Sequence, residues 1–387
     1  MEKSTKEILL LIFSVKVSIF LLIFLAYSLL PFSTKFYFPN FIYPPKASIS
    51  LATAYKTWDA QHYLFLSEKW YQKNEDSDAF PPLFPFTIFV ATLITRSSFI
   101  SGLLLSNIFS FIAFYLFYVF VKKQYSEKIA YRSLLFLLAF PTAFYFSLIY
   151  TESIFLLIVI IFFMYLQQKK LFLAAVAAFF LPMSRLIGIA ISIPFLFSYI
   201  LHYHGHSVYD ELSSIGKSLL QKKSLLLFSP FFGLGIVMCM FYITTGSFFT
   251  QFSAQQNYIS QYSLFSIFNP IFFLRALFAF PLALHGFTNS LLDRLFFVFF
   301  IFILFFLYKR VSKILFIYTL CFGILPVLSG SFMSYMRYLV IVFPIFICLA
   351  KLSLEEKYRK YTFPFLFFSI FLQTLFIIMH SLNYWVS

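Results

Sequence analysis

Residues 8–30 read ILLLIFSVKVSIFLLIFLAYSLL, and this run decides the fold class. It carries one charge, Lys16, in a stretch that is otherwise apolar or weakly polar. A membrane-spanning helix needs about 20 such residues, whereas the apolar core of a signal peptide runs to about 7–15. The run also lacks a convincing cleavage site, so it reads as an uncleaved first helix.

The rest of the chain extends that reading. Of 387 residues, 61% are hydrophobic and 11% charged, with a mean hydropathy of +0.88. Soluble domains are near half apolar and about a quarter charged. A chain this apolar has no polar skin to present to water, so the excess must face lipid. The 62 Phe and 26 Tyr are too many for any single aromatic to be informative by type alone. The net charge of +15 excludes little by itself. The basic residues sit between apolar runs, and no nucleic-acid motif accompanies them, so no nucleic-acid partner is expected. Cys239, Cys321 and Cys348 lie inside apolar runs without metal-ligand spacing. His202, His204 and His206 alternate near a basic loop and read as solvated, so neither metal nor cofactor is expected.

Six basic clusters set the topology: Lys3/Lys6, Lys122/Lys123/Lys128/Arg132, Lys169/Lys170, Lys217/Lys222/Lys223, Lys309/Arg310/Lys313 and Lys351/Lys357/Arg359/Lys360. Placed on the cytoplasmic side, they require two crossings between each consecutive pair. The expectation is an all-α, polytopic transmembrane bundle of about eleven helices, near 8–30, 98–121, 133–149, 153–167, 171–184, 187–203, 225–244, 291–308, 314–329, 338–350 and 362–382. No repeat, linker or soluble appendage interrupts it, so residues 1–387 read as one integral membrane domain. Residues 31–97 form a long outer loop. Within it the apolar stretch 80–95 opens with Pro81-Pro82, is broken by Pro85, and is too short to span. It is expected to lie as a helix on the outer membrane surface.

The topology sorts the remaining charges. An ionisable residue within or beside the membrane is expensive and marks a functional site by default. On the outer side four stand out: Asp59 in Trp58-Asp59-Ala60-Gln61-His62-Tyr63, Glu152 in Tyr150-Thr151-Glu152-Ser153, Arg185 in Met183-Ser184-Arg185-Leu186-Ile187-Gly188, and Arg337 in Tyr335-Met336-Arg337-Tyr338. All four fall at outer helix ends or in outer loops, so they are able to converge. A carboxylate such as Asp59 suits a general base, and an arginine aimed at a leaving phosphate stabilises the charge that develops there. His62 stands one helical turn from Asp59 and is placed to orient it or meet a phosphate. Trp58 is placed to stack on a sugar ring. Each has a bland alternative: Asp59 as a helix N-cap, Glu152 paired with Arg185, Arg337 as an interfacial anchor, Trp58 as an interface-belt aromatic. Asp293, Arg294 and Arg275 read as outer-end anchors. Lys16 has no account from sequence.

Four blocks occur in order: Trp58-Asp59-x-x-His62-Tyr63 with Phe80-Pro81-Pro82-Leu83-Phe84-Pro85, then Phe140-Pro141-Thr142-Ala143-Phe144 with Tyr150-Thr151-Glu152-Ser153, then Ser184-Arg185-Leu186-Ile187-Gly188, then Met336-Arg337-Tyr338 with Phe343-Pro344. Together they resemble the PIG-V-type mannosyltransferases, the family of the second mannosyltransferase of GPI-anchor synthesis, and its prokaryotic relatives. The resemblance implies a GT-C glycosyltransferase fold with an extracytoplasmic active site in a bacterial or archaeal plasma membrane. It implies a polyprenyl-phosphate-linked sugar donor, an acidic catalytic residue in the first outer loop that falls on Asp59, and a lipid or glycan acceptor. Trp58, His62, Glu152, Arg185 and Arg337 are then the candidate substrate-binding residues. The chain departs from the family in its little-elaborated outer loops and in Ala60, where Ser or Gly is common.

Other functions compete. A transporter or lipid flippase also has many helices and a few buried charges, but more often shows internal repeats and matched broken helices. A GT-C enzyme of another branch, acting on lipid or wall polymer, and an inactive scaffold are the remaining readings.

Overall fold

The computed structural model describes residues 4–35, 37, 40–45, 47–204, 222–258, 269–280, 283, 284 and 290–386. His202 and His204 are described by backbone only. Lys3, His206 and Lys217 fall outside the described residues, so the histidine cluster and parts of two basic clusters are not located. The described residues are helical apart from turns, loops and one isolated bridge between Ala283 and Ser290.

The first apolar run forms α1 (Thr5–Leu29), capped by the Ser4 hydroxyl, which accepts from the Glu7 N–H. The segment that follows carries α2 (Asp59–Lys69) and α3 (Leu83–Thr95). The chain then enters the bundle through α4 (Ser98–Gln124), capped by Ser97, and α5 (Glu127–Leu138), capped by Ser126. Next come α6 (Glu152–Gln167), α7 (Leu171–Ser184) and α8 (Ser192–His204). The second half holds α9 (Ser229–Thr245), α10 (Thr250–Gln255), α11 (Leu291–Leu307) and α12 (Lys313–Leu328). It continues through α13 (Tyr335–Leu339) and α14 (Pro344–Leu352) and ends in α15 (Thr362–Ser381).

Two kinds of helix make the bundle. α6 and α14 are buried along most of their lengths, and with α4 and α5 they supply much of a continuous apolar core. α1 and α15 cover one side and turn Leu10, Phe13, Leu21, Phe363, Phe367 and Phe371 outward. Water would not tolerate such a belt of exposed large apolar side chains, and hydrocarbon does.

Among the described residues, four helical stretches are long and apolar enough to cross a membrane by length and composition: Thr5–Leu29, Ser98–Gln124, Lys222–Thr245 and Thr362–Ser381. That is fewer than the eleven spans expected. The expected runs do correspond to helices, but several are shorter than their apolar stretches because the backbone leaves the α conformation before the run ends. The run at 133–149 stops being α-helical at Leu138, beside Pro141, and continues as a 3₁₀ turn over Ala143–Ser147. The run at 187–203 opens as a 3₁₀ turn over Leu186–Ile191. The run at 338–350 is split between α13 and α14, the second starting at Pro344, which lacks the N–H that an unbroken helix would need. Non-helical backbone survives in an apolar environment only where protein surrounds it. Here it is enclosed: residues 140–155 are buried throughout.

The stretch 80–95 does fold as a helix. α3 buries Phe84, Pro85 and Ile88 against the bundle and exposes Phe86, Phe89, Val90, Leu93 and Ile94. Its outward positions recur at helical spacing, giving an apolar stripe of the kind that seats a helix in a membrane interface.

Candidate active site

The breaks in the helices deliver the charges. Asp59 is the first residue of α2. The residue before it, Trp58, has φ 57° and ψ −129°, a strained conformation for a bulky side chain. Its surroundings hold it there. Trp58 Nε1 donates to the Tyr384 carbonyl at 3.2 Å, and its ring meets Trp385 edge-on at 4.9 Å. Thr57 is fixed at both ends, its hydroxyl donating to the His380 carbonyl at 3.1 Å and its own carbonyl accepting from Tyr150 Oη at 3.0 Å. The turn that aims Asp59 is therefore pinned by the end of α15 and by the 140s segment. The N-cap position of α2 is Trp58, so Asp59 does not cap the helix by its side chain.

Glu152 opens α6 and is fully buried. Its Oε1 accepts from Arg185 Nη1 and from Arg337 Nε, each at 2.5 Å. Arg337 Nη1 donates in turn to Asp59 Oδ2 at 2.5 Å. The result is one chain of alternating charge, Arg185–Glu152–Arg337–Asp59, drawn from four separated sequence blocks. Two cations and two anions balance, so the cluster is neutral as a unit. A lone buried charge would be far more costly.

The arginines are also held by their faces. The Arg337 guanidinium lies 5.0 Å from the Tyr145 ring centroid and 4.5 Å from that of Tyr150, and Arg185 lies 4.8 Å from Tyr338. Desolvated cation–π contacts of this sort are worth about 2 kcal/mol or more. Arg185 terminates α7, where the chain reverses so tightly that a Cβ on Gly188 would come 2.3 Å from the Leu181 carbonyl carbon. A side chain larger than hydrogen has no room there, which explains the glycine in the Ser184–Gly188 block.

Access grades along the chain of charges. The side chain of Asp59 is 22% exposed, that of Arg185 10%, that of Arg337 7% and that of Glu152 0%. Asp59 is thus the mouth of the cluster and Glu152 its floor. Glu152 Oε2 has no hydrogen-bond partner, so the floor keeps one acceptor in reserve.

The structure brings Asp59, Glu152, Arg185 and Arg337 together, and it gives His62 a different setting. The His62 ring is stacked between Phe41 and Phe80, at 4.3 and 4.8 Å. Its Nδ1 lies 2.8 Å from Ser77 Oγ and its Nε2 3.2 Å from Tyr258 Oη. Both nitrogens are engaged away from Asp59, and burial holds the ring's pKa down to about 4 against the weaker pull of Asp59 and Asp76. His62 is a buried ring that fastens α2 to Ser77 and Tyr258. Gln251 and Gln255 of α10 donate to the Ala79 carbonyl at 3.2 and 3.0 Å, and Asn257 donates to Asp76 at 2.7 Å, completing the clasp.

Sequence reasoning set aside one residue that matters to the site. Asp293 reads as an outer-end anchor, yet it is fully buried, and its Oδ1 accepts from the Met336 N–H at 3.0 Å. Thr142 Oγ1 donates to the Met336 carbonyl at 3.0 Å. The residue before Arg337 is therefore held at both its N–H and its carbonyl. Tyr145 and Tyr150, the walls of Arg337, were equally unmarked. With so many tyrosines in the chain, only their place beside Glu152 set them apart. Among the described residues no group of three or more His, Cys, Asp or Glu is arranged to hold a metal ion.

No family model matches this chain, and no curated protein does. Among solved structures it is similar to the oligosaccharyltransferase of Archaeoglobus fulgidus. For the apo form the TM-score is 0.49 at 12% identity, over 96% of this chain and 56% of that one. For the complex with zinc and sulfate the TM-score is 0.48 at 13% identity, over 96% and 53%. For the complex with an inhibitory peptide and a dolichol-phosphate it is 0.46 at 12% identity, over 96% and 56%. The chain spans about half the length of the solved structures it matches.

Proposed function

We propose that this protein is a membrane glycosyltransferase of the GT-C type, a mannosyltransferase by its resemblance to the PIG-V-type enzymes, that moves a sugar from a polyprenyl-phosphate carrier to a lipid or glycan acceptor on the extracytoplasmic side. The observation that carries this reading is the convergence of Asp59, Arg337, Glu152 and Arg185 into one buried cluster with Asp59 at its mouth. Those four residues come from the four blocks that carry the resemblance.

The chemistry follows from the arrangement. The acceptor oxygen forms a bond to the anomeric carbon as the bond from that carbon to the phosphate oxygen breaks. The acceptor's proton passes to Asp59, and the bonding pair leaves with the lipid phosphate. Arg337, with Arg185 behind it, offers positive charge to that leaving group in a site screened from water, where such stabilisation is strong. Glu152 fixes both arginines. Trp58 supplies an aromatic face one residue from the base, and His62 secures the helix on which the base stands.

The direct test is purified protein assayed with polyprenyl-phosphate sugars against a panel of acceptors, wild type beside Asp59→Asn. Transfer that is lost in the variant supports the reading. Absence of transfer from every lipid-linked sugar, with the protein folded, refutes it. Sidedness is tested by cysteine labelling in intact cells. A cysteine at the exposed Asn74 should react with an impermeant thiol reagent and one at the exposed Ser126 should not.

A further inference from the structure

Arg337 meets Asp59 through the same atoms that a phosphate would need. Its Nε edge is closed, because Nε donates to the fully buried Glu152. Tyr145 and Tyr150 crowd one side of it, their ring centroids 5.0 and 4.5 Å from Cζ and 4.7 Å from each other. What remains is the terminal fork of Nη1 and Nη2, and Asp59 holds Nη1. Arginine binds phosphate best by two parallel N–H···O bonds from such a fork. Asp59 is also the most exposed member of the cluster, so an anion arriving from outside meets that end first.

We infer that Asp59 and the donor's phosphate are alternative partners of the Arg337 fork, so that binding of a lipid-linked phosphate displaces Asp59 and thereby frees the base for the acceptor. This rests on the lipid-donor reading above. The exchange is balanced in charge: a phosphodiester carries one negative charge, as does the carboxylate it replaces, and the cluster keeps its neutrality. No covalent bond changes in this step. Before that exchange one carboxylate oxygen, Oδ2, is bound to the guanidinium, whose charge lowers its basicity toward an incoming hydroxyl. Once the phosphate holds the fork, Asp59 is the nearest unpaired anion at the mouth. Donor therefore binds before acceptor, and the base is armed only when a sugar is there to transfer.

The inference fixes the sign of an effect. A residue that simply helps to bind the donor weakens binding when it is changed. A residue that competes with the donor strengthens it. Binding of dolichyl phosphate to the full-length protein in nanodiscs should be measured for wild type, Asp59→Asn, Arg337→Ala and the double variant, with thermal unfolding as the check on folding. Asp59→Asn should bind roughly three- to tenfold more tightly, the scale of the difference between a charge-assisted hydrogen bond and the neutral one that Asn Oδ1 still accepts. Arg337→Ala should bind more weakly, and adding Asp59→Asn to it should bring no further gain. Inorganic phosphate should bind every variant at least about a hundredfold less tightly, because it lacks the apolar chain that a bilayer-embedded site takes up. Unchanged or weaker dolichyl phosphate binding in Asp59→Asn overturns the exchange. So does a gain that persists without Arg337. Inorganic phosphate binding as tightly as the lipid overturns the lipid-linked ligand. Failure of wild type and all variants to bind dolichyl phosphate overturns both the exchange and the donor reading beneath it.

Discussion

Arg337 and Lys16 are both buried cations, and the chain holds them by different means. Arg337 is shared between two carboxylates, at a place where the cluster still opens to the outside. Lys16, in the middle of α1, is met by neutral oxygens and by the Phe114 ring, 5.6 Å from its Nζ. Its Nζ donates to Ser110 Oγ at 2.7 Å and Asn107 Oδ1 at 3.0 Å, with Ser147 Oγ at 3.3 Å and the Phe146 carbonyl at 3.4 Å. An ammonium has three protons to give, so four acceptors saturate it. The Lys16 cluster has nothing left with which to meet a ligand. The Arg337 cluster has an exposed carboxylate, spare N–H groups and an unpartnered oxygen. A buried charge therefore marks chemistry only when its partners leave capacity unused. One that is fully satisfied marks architecture, here the stapling of the 3₁₀ turn Ala143–Ser147 to α1 and α4. That turn carries Tyr145, so the architectural cation supports the chemical one.

The comparison is sharpest at Asp59. Asp59→Asn should leave a folded protein whose turnover falls by roughly 10²–10⁴, the usual worth of a positioned acid–base group, measured as sugar transfer per folded molecule. Turnover near wild type would return Asp59 to a structural role and make Glu152 the next carboxylate to test.

Glu152→Gln probes the floor of the same cluster. It leaves two guanidinium groups facing each other with their shared anion gone, and removing one partner of a buried ion pair costs about 3–5 kcal/mol. A steep loss in thermal stability and in the yield of folded protein is expected. A variant as stable as wild type would mean that the arginines are held without it.

Lys16→Met reverses the expectation. It should lower stability by about 1–3 kcal/mol, through acceptors left unsatisfied, and keep turnover per folded molecule within about twofold. Loss of turnover with stability kept would erase the distinction between the two clusters.

The smallest effect is on pH, in the outer clasp. Burial pushes the Asp78 carboxyl up to about 7, against the weaker downward pull of the Gln72 and Glu75 backbone N–H groups. A raised acid binds its proton more tightly when folded, so its contribution to stability is present below the unfolded value of 3.8 and is lost as pH rises through 7. His62, lowered to about 4, contributes stability above its unfolded value of 6.5 that is lost as pH falls through 4. Between about pH 4 and 6.5 the two slopes oppose each other. Asp78→Asn should uncover the histidine slope: unfolding temperature should rise relative to wild type by about a degree or two at pH 8, and should fall more steeply on acidification. Parallel pH profiles for the two proteins would show that Asp78 does not titrate with folding.

The amino-acid sequence by itself determined the class of the molecule, the places where its helices lie, and which four charges merited attention. These follow from local physics. Apolar runs cannot face water, and a charge beside them stands out against so uniform a background. Six basic clusters also gave the order of the helices a definite expected sense. What the sequence did not determine was how far each run stays helical. A proline such as Pro141 or Pro344 announces a break without saying where the freed backbone finds its partners, and that choice belongs to neighbours distant in sequence. For the same reason only the tertiary structure decided who holds whom. Glu152 lies 185 residues from Arg337, and Asp59 lies 278. His62 was taken by Ser77 and Tyr258, and Asp293, dismissed as an anchor, came to hold the N–H of Met336, the residue before Arg337. Pairing energies depend on distance and burial, and neither is written in the order of residues along a chain.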